Sequence, residues 1–167
     1  MIEVRWHARA GQGAKTAAQL LAEAMLRAGK SVQAFPEYGP ERRGAPMRAY
    51  TRIDERPIRR HDSVTQPDVV VVLDPSLVRE EDVTEGLAAG GLVLVNADRA
   101  PAGLEGVDVR CVPAEANVNV AMAGAIAAAL GERSAADVAD AAVQLLGRKV
   151  DEAALRAAAE EGFRRAA

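Results

Sequence analysis

The sequence predicts an α/β domain: three-layer and Rossmann-like, with a largely parallel sheet, one antiparallel strand and a helical C-terminal third. Three observations predict it. Short β-branched or aliphatic runs alternate with helical patterns over the first two thirds of the chain. A turn containing two glycines, Ala10-Gly11-Gln12-Gly13, joins the first strand pattern to the first helical one. From Asn117 onward the apolar residues recur at helical spacing only.

Taken in order, Ile2 to Trp6 reads as the first strand. Ala14 to Ala28 is helical, because Ala17, Leu21, Ala24 and Ala28 share one face, and Gly29 sits where a C-terminal cap belongs. Ser31 to Phe35 is a second strand. Met47 to Ile53 is a third, with Ala49, Thr51 and Ile53 alternating against Arg48, Tyr50 and Arg52 as in a half-exposed strand. Asp68 to Leu73 holds four consecutive valines, the pattern of a central strand buried on both faces. Asp74 and Pro75 then suit an N-cap and first helical position, predicting a short helix toward Ala89, with a break near Asp82. Leu92 to Val95 and Val107 to Val112 are two more strands. Helices follow over Asn117 to Leu130, from a capping box at Ser134 and Asp137 to Leu146, and from Asp151 to about Arg165.

Composition bounds the function. With 167 residues, the chain is expected to form a single domain over 1–167 with a core of its own. Net charge is -3, which gives no general attraction to nucleic acid or membrane surfaces. Cys111 is the one cysteine, so the chain alone builds neither a disulfide framework nor a four-cysteine metal or iron–sulfur site. No apolar run approaches ~18 residues and the N-terminus lacks a signal-peptide plan, so a soluble cytoplasmic protein is expected. Aromatic residues make up only 3%, so the core is expected to rest on Val, Leu and closely packed alanine helices.

Two stretches could carry chemistry. At the strand-to-helix turn, Gly11, Gln12 and Gly13 would expose backbone N–H groups at a helix N-terminus, a geometry that suits an anion. Lys15 could neutralise it. The stretch is neither a Walker loop nor a full dinucleotide fingerprint, and a tight turn needing glycine for steric reasons explains it equally well. The second stretch is FPEYGPERRGAP, residues 35–46. Pro36, Pro40 and Pro46 restrict it, so that Glu37, Tyr38, Gly39, Glu41, Arg42 and Arg43 would form a pre-organised loop facing an interface or a ligand. Arg48, Arg52, Arg56, Arg59 and Arg60 extend it, and a solvated ribbon is the plain alternative for Arg48 and Arg52. His7 ends a strand and His61 stands apart, so they set up no metal site. Asp74 lies at the carboxyl edge of a strand, where open α/β sheets bind ligands, although an N-cap role accounts for it too. Neither a nucleophile triad nor a catalytic carboxylate pair can be assembled, so no residue is assigned a catalytic role.

Together these motifs bring a family into view. RWHARAGQGAKTAAQLLAEA resembles the R-x-G-G-Q-G-x-x-T-A-A-x-x-L-A opening of one component of the 2-oxoacid:ferredoxin or flavodoxin oxidoreductases. FPEYGPERRGAPMRAYTRI, then PIR and PDVVVVLDPSL, resembles the gamma subunit of the pyruvate and 2-ketoisovalerate branch. The resemblance is strong from Ile2 to Leu77 and weaker through GGLVLVN and the helix after Asn117. Ala8 and Ala10 stand where the family often has glycine, and Lys15 where it has a small apolar residue. A β-carbon at position 10 narrows access to the turn, so this departure bears on ligand contact there and not on the fold.

The resemblance implies a gamma subunit, separate and not fused, that is not catalytic alone. The complex would oxidatively decarboxylate a 2-oxoacid with coenzyme A, giving acyl-CoA, carbon dioxide and reduced ferredoxin, or run in reverse. Thiamine diphosphate would sit mainly on the alpha and beta components, and iron–sulfur clusters on beta and delta. The chain itself would hold no cofactor alone; alpha, beta and delta would be its partners, with ferredoxin or flavodoxin reached through them. The alternative is a stand-alone nucleotide- or anion-binding α/β module, motivated by the glycine turn. A nucleic-acid binder using the arginines ranks below both, given the negative charge and few aromatics.

Overall fold

The structure is a computed structural model that describes residues 1–37, 44–132 and 134–167. Its spine is β1 (Ile2–Arg9), which pairs antiparallel with β3 (Pro46–Asp54) on one side and parallel with β4 (Val69–Val72) on the other. The sheet order is β2-β3-β1-β4-β5-β6, with β2 (Ser31–Pro36) at one edge and β5 (Leu92–Val95) and β6 (Asp108–Cys111) continuing the parallel half. Only β3 runs against the others, because it pairs antiparallel with both β1 and β2. This is the expected largely parallel sheet with one antiparallel strand.

Side-chain alternation divides the two faces. Val4, Trp6 and Ala8 of β1 and Val71 of β4 point into one core with α1 (Ala14–Arg27), α2 (Val118–Ala129), α3 (Ala136–Leu146) and α4 (Glu152–Ala166). Val70, Val72, Val93 and Val95 point the other way, against Leu77, Val83 and Leu104. On that side the third layer is a 3₁₀ turn, Pro75–Arg79, and irregular segments. The four-valine strand is buried on both faces, as its sequence requires.

The helix expected to run from Asp74 toward Ala89 is therefore a single 3₁₀ turn. It starts as the sequence says: Asp74 accepts from the Ser76 N–H at 3.0 Å, and Pro75 follows the cap. It stops early because Asp82 accepts from both the N–H and the hydroxyl of Thr84, at 2.9 and 2.6 Å, which bends the backbone out of helix. Gly86 then takes φ +70, and a β-carbon there would lie 2.1 Å from the Thr65 carbonyl oxygen. The capping box at α3 also differs. Ala135 is the cap residue, and Ser134 Oγ accepts from the Ala136 N–H at 3.3 Å. Asp151 does cap α4, accepting from Ala154 N–H at 3.1 Å.

Alanine and glycine set the helical layer. Where α2 crosses α4, a β-carbon on Gly162 would lie 1.8 Å from the Ala121 carbonyl oxygen, and one on Gly124 would lie 2.2 Å from that of Ala159. The backbones are in contact, so the space between these helices holds no larger side chain.

Candidate functional site

The site is built on the carboxyl ends of β1 and β4, where connections leave the sheet in opposite directions. After Arg9 the chain turns through Gly11 (φ 97) and Gly13 (φ 87), both left-handed, and enters α1 with Gly13 as its cap. Gly13 is doubly constrained: its β-carbon would also lie 3.1 Å from Asn119 Nδ2 in α2. The steric demand for glycine is thus met at both positions. The first N–H groups of α1 have no partner within the helix.

Gln12, between the glycines, braces this turn. Its Oε1 accepts from the Arg9 N–H at 2.8 Å, and its Nε2 donates to Asp74 Oδ2 at 2.8 Å. Arg9 closes the circuit. Its Nε lies 3.2 Å from Asp74 Oδ2, its Nη2 donates to Ser76 Oγ at 2.7 Å, and its guanidinium pairs with Glu80. Burial pushes the Asp74 carboxyl up, but hydrogen bonds from Ser76 and Gln12 hold it below its ordinary value. Asp74 is thus the N-cap its position suggested, and it stands just past the carboxyl end of β4. Lys15 is exposed on the first turn of α1.

Beside this edge the second face of β1 and β3 carries charge under cover. His7 and Arg52 are fully buried and Arg5 nearly so. Arg5 Nε–H donates to His7 Nε2 at 2.9 Å, which requires a neutral ring with its proton on Nδ1. That Nδ1–H donates to Glu81 Oε1 at 2.6 Å. Burial holds His7 below its ordinary value. Hydrogen bonds from His7 and Arg48 bring the Glu81 carboxyl down to about 2. Arg5 Nη2 further donates to the carbonyls of Val83 and Glu85, at 3.0 and 2.7 Å, and so fastens that segment over the sheet.

The arginines thus divide. The alternation in β3 was legible, but its polar face is not half-exposed: Tyr50 and Arg52 are buried. Arg52 donates to Glu3 Oε1 and to the Asp62 carbonyl, both at 2.7 Å, and stacks over Phe35 at 5.2 Å. Arg48 donates to Glu81 at 3.1 Å. Arg56, Arg59 and His61 are exposed. Cys111 is half-buried and burial raises its thiol.

Of the predicted loop, Tyr38, Gly39, Glu41, Arg42 and Arg43 lie outside the described residues, and its two stems lie within them. Glu37 N–H donates to the Arg48 carbonyl at 3.0 Å, and its carboxylate accepts from Tyr50 OH, whose value burial and this carboxylate raise to about 12. Ala10 N–H donates to the Ala45 carbonyl at 2.9 Å, and Arg9 Nη1 to that of Gly44 at 3.2 Å. The glycine turn and the loop, read from sequence as separate motifs, therefore share one base. Sequence reasoning missed the hub, Arg9; the only available signal was its place at the strand end, two residues before Gly11. Among the described residues no three His, Cys, Asp or Glu side chains are placed to hold a metal ion, and no helix is long and apolar enough to cross a membrane.

Fold and edge define an α/β Rossmann-like domain whose strand–turn–helix entry is braced to a neighbouring strand end. A family model for pyruvate ferredoxin/flavodoxin oxidoreductase matches residues 3–167, and the chain belongs to that family. It is 49% identical over 146 residues to the pyruvate/ketoisovalerate oxidoreductases common subunit gamma of Thermococcus litoralis, covering 78% of this chain and 79% of that one. Against pyruvate synthase subunit PorC of Thermotoga maritima it is 61% identical over 94 residues, or 56% and 48% of the two chains. The crystal structure of pyruvate oxidoreductase subunit PORC from Thermotoga maritima superposes with a TM-score of 0.74 at 36% identity, covering 99% of this chain and 94% of that one. The gamma subunit of a keto/oxoacid ferredoxin oxidoreductase from Geobacter sulfurreducens gives 0.72 at 25%, covering 99% and 98%. The resemblance read from the glycine turn and the proline-rich loop named the same family.

Proposed function

We propose that this chain is the gamma subunit of a thiamine-diphosphate-dependent 2-oxoacid:ferredoxin oxidoreductase, with 1–167 as one gamma domain and no turnover of its own. The observation that carries this reading is the family match from residue 3 to residue 167. Its substrate is pyruvate first and a branched 2-oxoacid second, following the names of the relatives. The complex works in the cytoplasm with alpha, beta and delta subunits and passes electrons to ferredoxin or flavodoxin.

The site chemistry supports a scaffold role. His7 is engaged on both ring nitrogens, and Asp74, Glu81 and Arg9 are held in internal pairs. These groups brace backbone more readily than they move protons. One cysteine does not ligate a cluster, so iron–sulfur centres belong to other subunits. Thiamine diphosphate supplies the chemistry of decarboxylation in the complex. Gly11, Gln12 and Gly13 form the anion-facing turn, and Glu37, Tyr38, Gly39, Glu41, Arg42 and Arg43 the loop that faces a subunit or ligand.

Affinity purification of the tagged chain from its native cells tests the assignment. Recovery of thiamine-type and ferredoxin-like chains in fixed ratio, with coenzyme A-dependent 2-oxoacid oxidation, is expected. Recovery of the chain alone, with micromolar nucleotide binding by calorimetry, would favour the stand-alone module instead.

A further inference from the structure

Arg9 is the point at which three chain segments meet. Its backbone N–H donates to Gln12 of the glycine turn, and its side chain donates to the Gly44 carbonyl just before β3. The same guanidinium meets Asp74 and Ser76 at the start of the 3₁₀ turn and Glu80 at its end. Its side chain is 23% exposed, and the pairing with Glu80 holds its value above the ordinary one. Planar geometry is what allows this: one fork offers donors in several fixed directions, which an ammonium on a flexible stem does not.

We propose that Arg9 is a positioning residue of the assembled oxidoreductase: it fixes the Gly11–Gly13 turn and the Gly44 stem against Asp74 and Glu80, so that this edge meets its ligand in one shape. The proposal rests on the gamma-subunit reading. Removing a brace of this kind leaves the sheet intact, because β1 keeps its full pairing to β3 and β4. What is lost is the fixed relation of turn to stem, and a ligand contacting both then orders them at its own expense.

The test uses the reconstituted four-component complex carrying Arg9→Ala, Arg9→Lys or Glu80→Gln. Omission of the wild-type chain must first abolish coenzyme A-dependent turnover; if it does not, the gamma-subunit reading fails before Arg9 is tested. With that control satisfied, Arg9→Ala should raise the KM for the 2-oxoacid or for coenzyme A about three- to tenfold, with kcat per assembled complex within about twofold. Arg9→Lys, which keeps charge but not the fork, should fall between it and wild type. Unchanged KM for both substrates, or a loss confined to the yield of complex, overturns the proposal. Should Arg9→Ala fail to assemble, Arg9→Lys and Glu80→Gln decide by the same KM criterion.

Discussion

Gln12 and Asp74, 62 positions apart, meet through a 2.8 Å hydrogen bond from Nε2 to Oδ2, and this contact ties the end of β1 to the end of β4. Gln12 is thus a brace within the chain as well as a residue of the candidate turn. Gln12→Ala leaves Asp74 with Ser76 and Arg9 as partners, and the contact is solvent-exposed. The expected cost is below about 1 kcal/mol, a fall in Tm of no more than about 4 °C by scanning calorimetry. A larger fall would mean that the turn is a folding determinant.

Thr51→Val tests the polar contact inside the helical core. Trp6 Nε1–H donates to Thr51 Oγ1 at 3.0 Å, and that hydroxyl donates to the Ala18 carbonyl at 3.1 Å. Valine keeps the shape and leaves the buried Trp6 Nε1–H without its acceptor, while the Ala18 carbonyl keeps its bond within α1, so about 1–3 kcal/mol should be lost in urea unfolding. Trp6 is the only tryptophan, so its fluorescence reports the same environment directly.

Gly162→Ala should be far more damaging. Its added carbon would lie 1.8 Å from the Ala121 carbonyl oxygen, and backbone on both sides must move. More than about 3 kcal/mol is expected, or failure to fold. Gly131→Ala is the control: at φ +85 with nothing within 4 Å, it should cost only about 1 kcal/mol.

Acid should loosen the segment over β1. Both His7 and Glu81 have depressed values in the fold, so the unfolded chain binds more protons and stability falls as pH drops. The His7 contribution declines below its ordinary 6.5. That of Glu81 is complete above its ordinary 4.5 and is lost toward about 2. Arg5, Arg48 and Glu85 face the same pair, and the two guanidinium groups keep their charge throughout this range. Urea midpoints measured from about pH 7 to about pH 3 should fall throughout, and Glu81→Gln should make the branch below about pH 4.5 less steep, the depressed Asp62 and Asp74 carboxyls keeping the rest of its slope. A flat wild-type profile would contradict the buried network.

Much of this was legible in the sequence, because its signals were local. The four valines, the alanine periodicity of α1 and the Asp151 cap depend on neighbours in the chain. The short 3₁₀ turn depends on Asp82 bending the chain at Thr84 and on Gly86 pressed against Thr65, a contact between separated segments. The burial of Arg5, His7 and Arg52 depends on irregular segments folding over β1 and β3, and no periodicity encodes that cover. Arg9 was overlooked for the same reason: its partners at 44, 74, 76 and 80 are distant in sequence.

The central claim is that this chain works only as a gamma subunit, and add-back measures it most directly. Alpha, beta and delta components are combined with and without the chain, and 2-oxoacid-dependent reduction of ferredoxin is followed in the presence of coenzyme A. The account predicts turnover only when the chain is present, and reduced assembly or turnover with the Arg42→Ala, Arg43→Ala double variant. Full turnover without the chain would contradict it.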